Sequence, residues 1–259
     1  MALTKIVFSK QADHDADLAP LWLRWYRDEF RADEILITPV KTPASEIAQT
    51  VAFYQAAGCQ VRPIVLPAGW NDRVVWQRQL AMVREVAPTS PFLAVSADAD
   101  QLFEPPTTLP PGKSAVPFRR INLLADGPRL GVLAEREKTP AYVGGFVGSL
   151  DSRFVAVVGH WVGPAPSETT TIEFHLQWRG ATAFAQKVAT MTFDPHAPPR
   201  MAHHWKAWRA LVDSQGMKAL EKEYRGHTAR FLFEDDWPPD LRGKLGRLQR
   251  FLQGELATC

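Results

Sequence analysis

The sequence predicts an α/β fold, a mixed sheet flanked by helices, with a helical C-terminal extension. Two patterns point there. Through the first half, apolar runs of strand length alternate with amphipathic stretches of helix length. The second half turns to short strand-like runs separated by Gly and Pro. A third observation fits both: 46% of the 259 residues are apolar, enough for a large core.

The elements follow in order. Lys5 to Phe8 reads as a first strand, and Leu18 to Phe30 as a helix with Leu18, Leu21, Trp22 and Trp25 on one stripe. Ile35 to Val40 is a second strand. Thr42 then offers an N-cap, with Pro43 at the first helical position and Gly58 as a stop. Gln60 to Leu66 is a third strand, which Pro63 confines to an edge. Asp72 to Val86 is a helix with Trp76, Gln79, Leu80 and Val83 on one side. Phe92 to Ser96, short and apolar, suits an internal parallel strand. After a proline-rich loop over Glu104 to Lys113, strand-like pieces recur at Ala115 to Phe118, Leu130 to Ala134, Phe154 to Val158 and Thr170 to Leu176. Helices are expected over Ala181 to Ala189 and Trp205 to Tyr224, the latter interrupted at Gly216, with an amphipathic segment at Leu245 to Leu252.

The totals exclude several classes. Thirty Lys and Arg stand against 28 Asp and Glu, a net charge of +2, which gives no general argument for nucleic acid. Two cysteines, Cys59 and Cys259, make no disulfide framework and suggest a reducing compartment. The first ten residues lack a signal-peptide pattern, and no run is apolar enough to span a membrane. A cytoplasmic location is expected, with a peripheral contact at the inner membrane through the basic tail from Arg242 to Arg250. A Gly-rich dinucleotide fingerprint and a Walker-type loop are both absent.

In a mostly parallel sheet the binding crevice lies beyond the carboxyl ends of the strands. Asp98 and Asp100 directly follow the Phe92 to Ser96 strand. If the strand geometry persists, both carboxylates point to one side, where they repel unless a cation lies between them. Mg²⁺ or Mn²⁺, which prefer oxygen ligands and keep phosphate oxygens in their shell, suit such a clamp. A solvated acidic turn is the bland alternative.

The stretch from Phe92 to Pro105, built around Asp98 and Asp100, resembles the Asp-x-Asp region of GT-A-fold glycosyltransferases. More narrowly, the chain resembles the bacterial branch of glycosyltransferase family 2 that is similar to family 92. Gln101 and Leu102 stand where those proteins have Glu-Phe. The segment from Phe174 to Lys187 resembles the family's His-x-x-x-Arg-Ser-x-x-x-Phe-x-x-Lys signature, with Gly180 in place of Ser, and Gly159-His160 resembles its Gly-His element. The resemblance covers most of residues 3 to 190.

It implies a Rossmann-like GT-A domain over residues 1–200, divided into a nucleotide-binding half (1–105) and an acceptor-binding half (106–200), then a helical extension (201–259). Mn²⁺ or Mg²⁺ is expected on Asp98 and Asp100, with Asp98 acting through metal or ribose and His175 or His160 completing the set. Arg179, then Lys187, would meet the charge developing on a diphosphate leaving group. Ser9, Lys10, Gln11, Asp13, Thr38 and Lys41 follow the first two strands and face the same crevice; Ser9, Lys10 and Thr38, with Arg78 and Gln79 from the next helix, are expected on the nucleotide. For an inverting transfer the base is left among Glu135, Asp151 and Glu173. His203 and His204 suit a helix start or an acceptor contact, and Trp161, Trp178, Trp205 and Trp208 suit acceptor packing or the core.

The expected partners are therefore a nucleoside-diphosphate sugar, UDP-linked by frequency alone, and a carbohydrate or lipid-linked saccharide acceptor. A nucleotidyltransferase and a non-catalytic sugar-nucleotide-binding module are the competing readings.

Overall fold

The computed structural model of the chain describes residues 4–86, 92–106, 118–126, 129–138, 154–159, 171–196 and 203–256. Its first sheet is wholly parallel. Strand β1 (Thr4–Ser9) lies between β2 (Glu34–Ile37) and β6 (Phe92–Ser96), with β4 (Gln60–Val61) beyond β2 and β10 (Phe154–Gly159) beyond β6. A two-stranded parallel ribbon, β3 (Val40–Lys41) with β5 (Ile64–Val65), lies outside it. A second, mixed sheet runs β7 (Gln101–Phe103), β11 (Thr171–Trp178), β8 (Phe118–Asp126), β9 (Arg129–Lys138); only its β11–β8 pair is parallel.

Both faces of the parallel sheet are covered, as its apolar strands require. Ile6 and Phe8 of β1 point one way, onto Trp76, Leu80 and Val83 of helix α3 (Asp72–Val86). Val7 points the other way, into the main core. There it joins Trp22 of helix α1 (Ala19–Arg24), Phe174 and Leu176 of the mixed sheet, and Leu245, Leu248 and Leu252 of the C-terminal helix. A third cluster forms on the mixed sheet's other face. Trp178 and Leu124 pack there against Phe184 and Val188 of the helix following β11, and against Leu220 and Tyr224 further on.

The expected α/β plan with a helical C-terminal region is therefore observed, with several local differences. Ile35 to Val40 is not one strand: it breaks at Thr38-Pro39, and β3 joins the ribbon instead. Gln60 to Leu66 likewise splits at Pro63 into β4 and β5. The helix expected from Thr42 begins later, as α2 (Ala48–Ala56). Thr42 is used in a turn, where its N–H donates to Ser45 Oγ at 3.0 Å. The cap of α2 comes from far away: Asp13 accepts from the Thr50 and Gln49 amides at 2.9 and 3.2 Å.

The helix over Leu18 to Phe30 continues from α1 into a π-helical turn, Trp25–Glu29. That turn carries Trp25 and Tyr26 to strand β7. Trp25 Nε1 donates to the Phe103 carbonyl at 2.8 Å, and Tyr26 Oη donates to the Gln101 carbonyl and accepts from the Phe103 amide. The stretch from Trp205 is interrupted at Gly216, as expected, into α5 (His203–Gln215) and α6 (Met217–Thr228). Helix α4 (Ala181–Thr190) precedes them and α7 (Arg242–Leu256) follows. No helix among the described residues is long and apolar enough to cross a membrane.

Candidate functional site

Beyond the carboxyl end of β6 the chain does not stay extended. It turns at Ala99–Asp100, tied by the Gln101 amide donating to the Asp98 carbonyl at 3.0 Å and the Asp98 amide donating to Gln101 Oε1 at 2.8 Å. The chain thus leaves strand geometry at the pair, and the alternation of a strand does not set where the two carboxylates point. Asp98 meets Lys10, with Nζ at 3.7 Å. Asp100 meets Lys187 at 2.8 Å and His175 Nε2 at 3.7 Å. Gln101, where the resembled family has Glu, is the residue that fastens this turn.

Strand β11 and helix α4 deliver the rest. His175 and Arg179 stand four apart, and Lys187 follows two turns into α4. His175 Nδ1 lies 2.8 Å from Asn122 Oδ1 on the neighbouring β8. An amide oxygen only accepts, so Nδ1 carries a proton and the ring turns its other nitrogen toward Asp100. Arg179 donates to both oxygens of Asp17 at 2.6 Å and to Asp15 at 3.1 Å. Lys187 also lies 3.6 Å from Asp15.

On the other flank, Lys10 lies 3.2 Å from Asp72 at the start of α3, and its ammonium sits over the Trp70 ring, 5.1 Å from the centroid. The Trp70 indole N–H donates to Asp72 at 2.8 Å.

The site is electrostatically crowded. Among the described residues, Asp15, Asp17, Asp72, Asp98 and Asp100 interleave with only Lys10, Arg179 and Lys187 as permanent cations. Burial pushes the Asp98 carboxyl up to about 7, against the pull of Lys10 and with further upward pressure from Asp100. Burial pushes Asp100 upward too, but Lys187 and His175 outweigh it and hold that carboxyl well below its usual range. For Asp15 burial is likewise outweighed, by Lys187, His14 and Arg179, and its carboxyl is held low. Lys187 is raised despite burial, by Asp100 and Asp15.

Asp15, Asp17 and Asp72 had no assigned role in the sequence reading. Asp72 opens α3, whereas Asp15 and Asp17 belong to a run of alternating acids after β1, Asp13, Asp15 and Asp17. Of the three, Asp13 caps α2 and the other two meet Arg179.

Several expected residues serve the scaffold instead. Ser9 and Thr38 are buried. Thr38 Oγ1 donates to the Ser9 carbonyl at 2.9 Å and accepts from Gln79 at 2.7 Å, which ties the ends of β1 and β2 to α3. Gln11 donates to Ser9 Oγ and accepts from Tyr54. Lys41 pairs with Glu46 at the surface. Arg78 is exposed and donates to the Val65 carbonyl at 3.1 Å.

Glu173 is fully buried and held at 2.9 Å through both its oxygens by Arg120. A carboxylate so paired is a poor proton acceptor, so Glu173 is corrected from candidate base to counter-ion. Trp178 is also a core residue, stacked on Phe184 with ring centroids 5.3 Å apart. Trp205 and Trp208 pack on the same Phe184, and Lys187 lies over the Trp205 ring at 5.4 Å. His160, Asp151 and Trp161 lie outside the described residues, as do the side chains of Glu135, His203 and His204.

No group of three or more His, Cys, Asp and Glu side chains among the described residues forms a ready metal cage. Asp100 and His175 nevertheless fit one corner of an ion that takes its other ligands from phosphate and water. The histidine's far nitrogen is fixed by an amide oxygen, the usual support of a metal-binding imidazole.

No protein-family model and no curated protein sequence matches the chain. Among solved structures it is similar to galactosyltransferase LgtC in complex with donor and acceptor sugar analogs, at 12% identity over 93% of this chain and 100% of that one, with a TM-score of 0.29. A likeness that low carries no argument about fold or activity.

Proposed function

We propose that the chain is a metal-dependent glycosyltransferase that moves a hexose from a nucleoside-diphosphate sugar, UDP-linked, to a carbohydrate or glycoconjugate acceptor. One observation carries this reading: acids from the carboxyl ends of β1 and β6 meet Arg179, Lys187 and His175 at the edge of a parallel sheet. The clustering of acids favours a divalent cation as the partner that lets a diphosphate in. The sequence motifs support a GT-A-like domain over residues 1–200, of the family 2 branch resembling family 92, with its nucleotide half at 1–105, its acceptor half at 106–200 and an extension at 201–259. A cytoplasmic location belongs to the same proposal.

Asp100 and His175 would hold Mn²⁺ or Mg²⁺, which when bound neutralises the diphosphate. Asp98, beside Lys10, would face the ribose side. In the reaction an acceptor hydroxyl oxygen bonds to the anomeric carbon, and the bond from that carbon to the diphosphate oxygen breaks. The electron pair leaves with the nucleoside diphosphate, and the hydroxyl proton passes to a carboxylate base, Glu135 or Asp151, or to the departing diphosphate. Arg179 and Lys187 would receive the charge on the diphosphate, each exchanging a carboxylate partner for a phosphate oxygen.

The test is thermal denaturation with UDP-, GDP-, CMP- and dTDP-sugars, each with and without Mn²⁺. A donor at a hundred times its Kd adds about 2.7 kcal/mol, an upward shift of about 5 °C for a chain of this size. We expect that shift for one base, with metal, and its loss in Asp100→Ala. No shift with any nucleotide at roughly millimolar concentration would sink the reading. Binding without any release of sugar would leave only a sugar-nucleotide-binding module.

A further inference from the structure

We infer that Trp70 is the stacking wall for the nucleobase of a nucleoside diphosphate, with Lys10 beside it. The inference rests on the proposed function and names a subsite within it.

Trp70 lies between β5 and α3, with the Lys10 ammonium 5.1 Å from its ring centroid and that same ammonium 3.7 Å from Asp98. Its backbone is clamped. The Trp70 amide donates to the Thr192 carbonyl at 2.8 Å, and its carbonyl accepts from the Asp194 amide at 3.0 Å. The preceding Gly69, at φ +102°, passes so close that a Cβ there would lie 2.8 Å from the Phe193 carbonyl carbon. The indole N–H is fixed on Asp72, and one flank of the ring packs on the cluster of Val40, Ile64, Leu66 and Val75.

The result is a large, half-buried ring that cannot swing, next to a lysine and a carboxylate at the carboxyl end of the sheet. No aromatic ring among the described residues stacks on it, whereas Trp178, Trp205 and Trp208 are bound up with one another's cluster. A flat ring held rigid beside a cation suits a planar base on a phosphorylated ribose, because the ordering cost is met before the ligand arrives.

The experiment is calorimetric titration of UDP and of inorganic pyrophosphate, both with Mn²⁺, into wild type, Trp70→Leu and Trp70→Phe. Loss of one base–aromatic stack costs about tenfold in affinity. Trp70→Leu should lose that much for UDP and nothing for pyrophosphate, while Trp70→Phe stays near wild type for both. Unchanged UDP affinity in Trp70→Leu overturns the inference, as does an equal loss for UDP and pyrophosphate.

Because Trp70→Leu could fail to fold, the wild-type chain carrying 5-fluorotryptophan supplies a second measurement. The Trp70 resonance, assigned from Trp70→Phe, should shift with UDP and stay put with pyrophosphate; no shift with UDP overturns the inference. If wild type binds neither ligand, the functional reading itself has failed and takes this subsite with it.

Discussion

Asp17 holds Arg179 as a phosphate would, with one guanidinium nitrogen 2.6 Å from both carboxylate oxygens. The two partners are unequal. The Arg179 side chain is 8% exposed and the Asp17 side chain 57%, so the arginine is fixed while the aspartate faces water and can turn away. An exposed partner contributes little, about 1 kcal/mol at most. We therefore expect Asp17→Asn to tighten UDP binding in the presence of Mn²⁺ severalfold, read by calorimetry. Weaker binding would show instead that Asp17 orients Arg179. Asp98 and Asp100 could be picked out from sequence because they follow a strand signal, and Arg179 and Lys187 because their segment resembles a family signature. Asp15 and Asp17 could not, because the short 3₁₀ turn Asp13–Asp15 and the turn after it have no period and Arg179 stands far away in the chain. That the pair lies in a turn was hidden for another reason: it depends on Gln101 folding back on the Asp98 amide.

Elements with an uninterrupted pattern were legible, and those interrupted by proline or buried charge were not. Helix α3 and strand β6 fall on Asp72–Val86 and Phe92–Ser96, as their apolar stripe and apolar run require. Strand β8 was missed beyond Phe118 because Arg119, Arg120 and Asn122 break its apolar pattern; Arg120 is nonetheless buried, against Glu173. Strand β7 is three residues long and rests on Trp25 and Tyr26 from a distant helical turn. Contact between distant elements also fixes Gly69. Its positive φ alone would cost an alanine about 1–2 kcal/mol. The Phe193 backbone, 2.8 Å from the position of an added Cβ, must also move. Gly58 has φ +74° and nothing within 4 Å, so it isolates the first cost. Urea denaturation should show Gly69→Ala to be less stable than Gly58→Ala by about 1 kcal/mol or more. Equal losses would mean that the contact with Phe193 is not tight in solution.

Over the whole molecule, polar groups in the core make stability depend on pH. Tyr54, fully buried and donating to Gln11 at 2.9 Å, is raised well above 10 by burial, and so is Tyr26. The sign follows from which state gives up its proton first. Below about pH 10 both states keep the phenol neutral; above it the unfolded chain ionises while the folded chain does not, so stability falls as pH rises. Melting temperatures from about pH 9 to about pH 11 should therefore fall less steeply in Tyr54→Phe than in wild type. Parallel slopes would show that the phenol titrates alike in both states. The C-terminal region was expected as a helical extension packed on the domain; Leu245, Leu248 and Leu252 of α7 are core residues, and Lys244 and Arg247 bind Glu104. This has a consequence for biosynthesis. The last wall of the main core is translated after every described strand, so Trp22, Phe174 and Leu176 wait uncovered while the nascent chain lengthens, and that is the interval in which a chaperone would have most to bind.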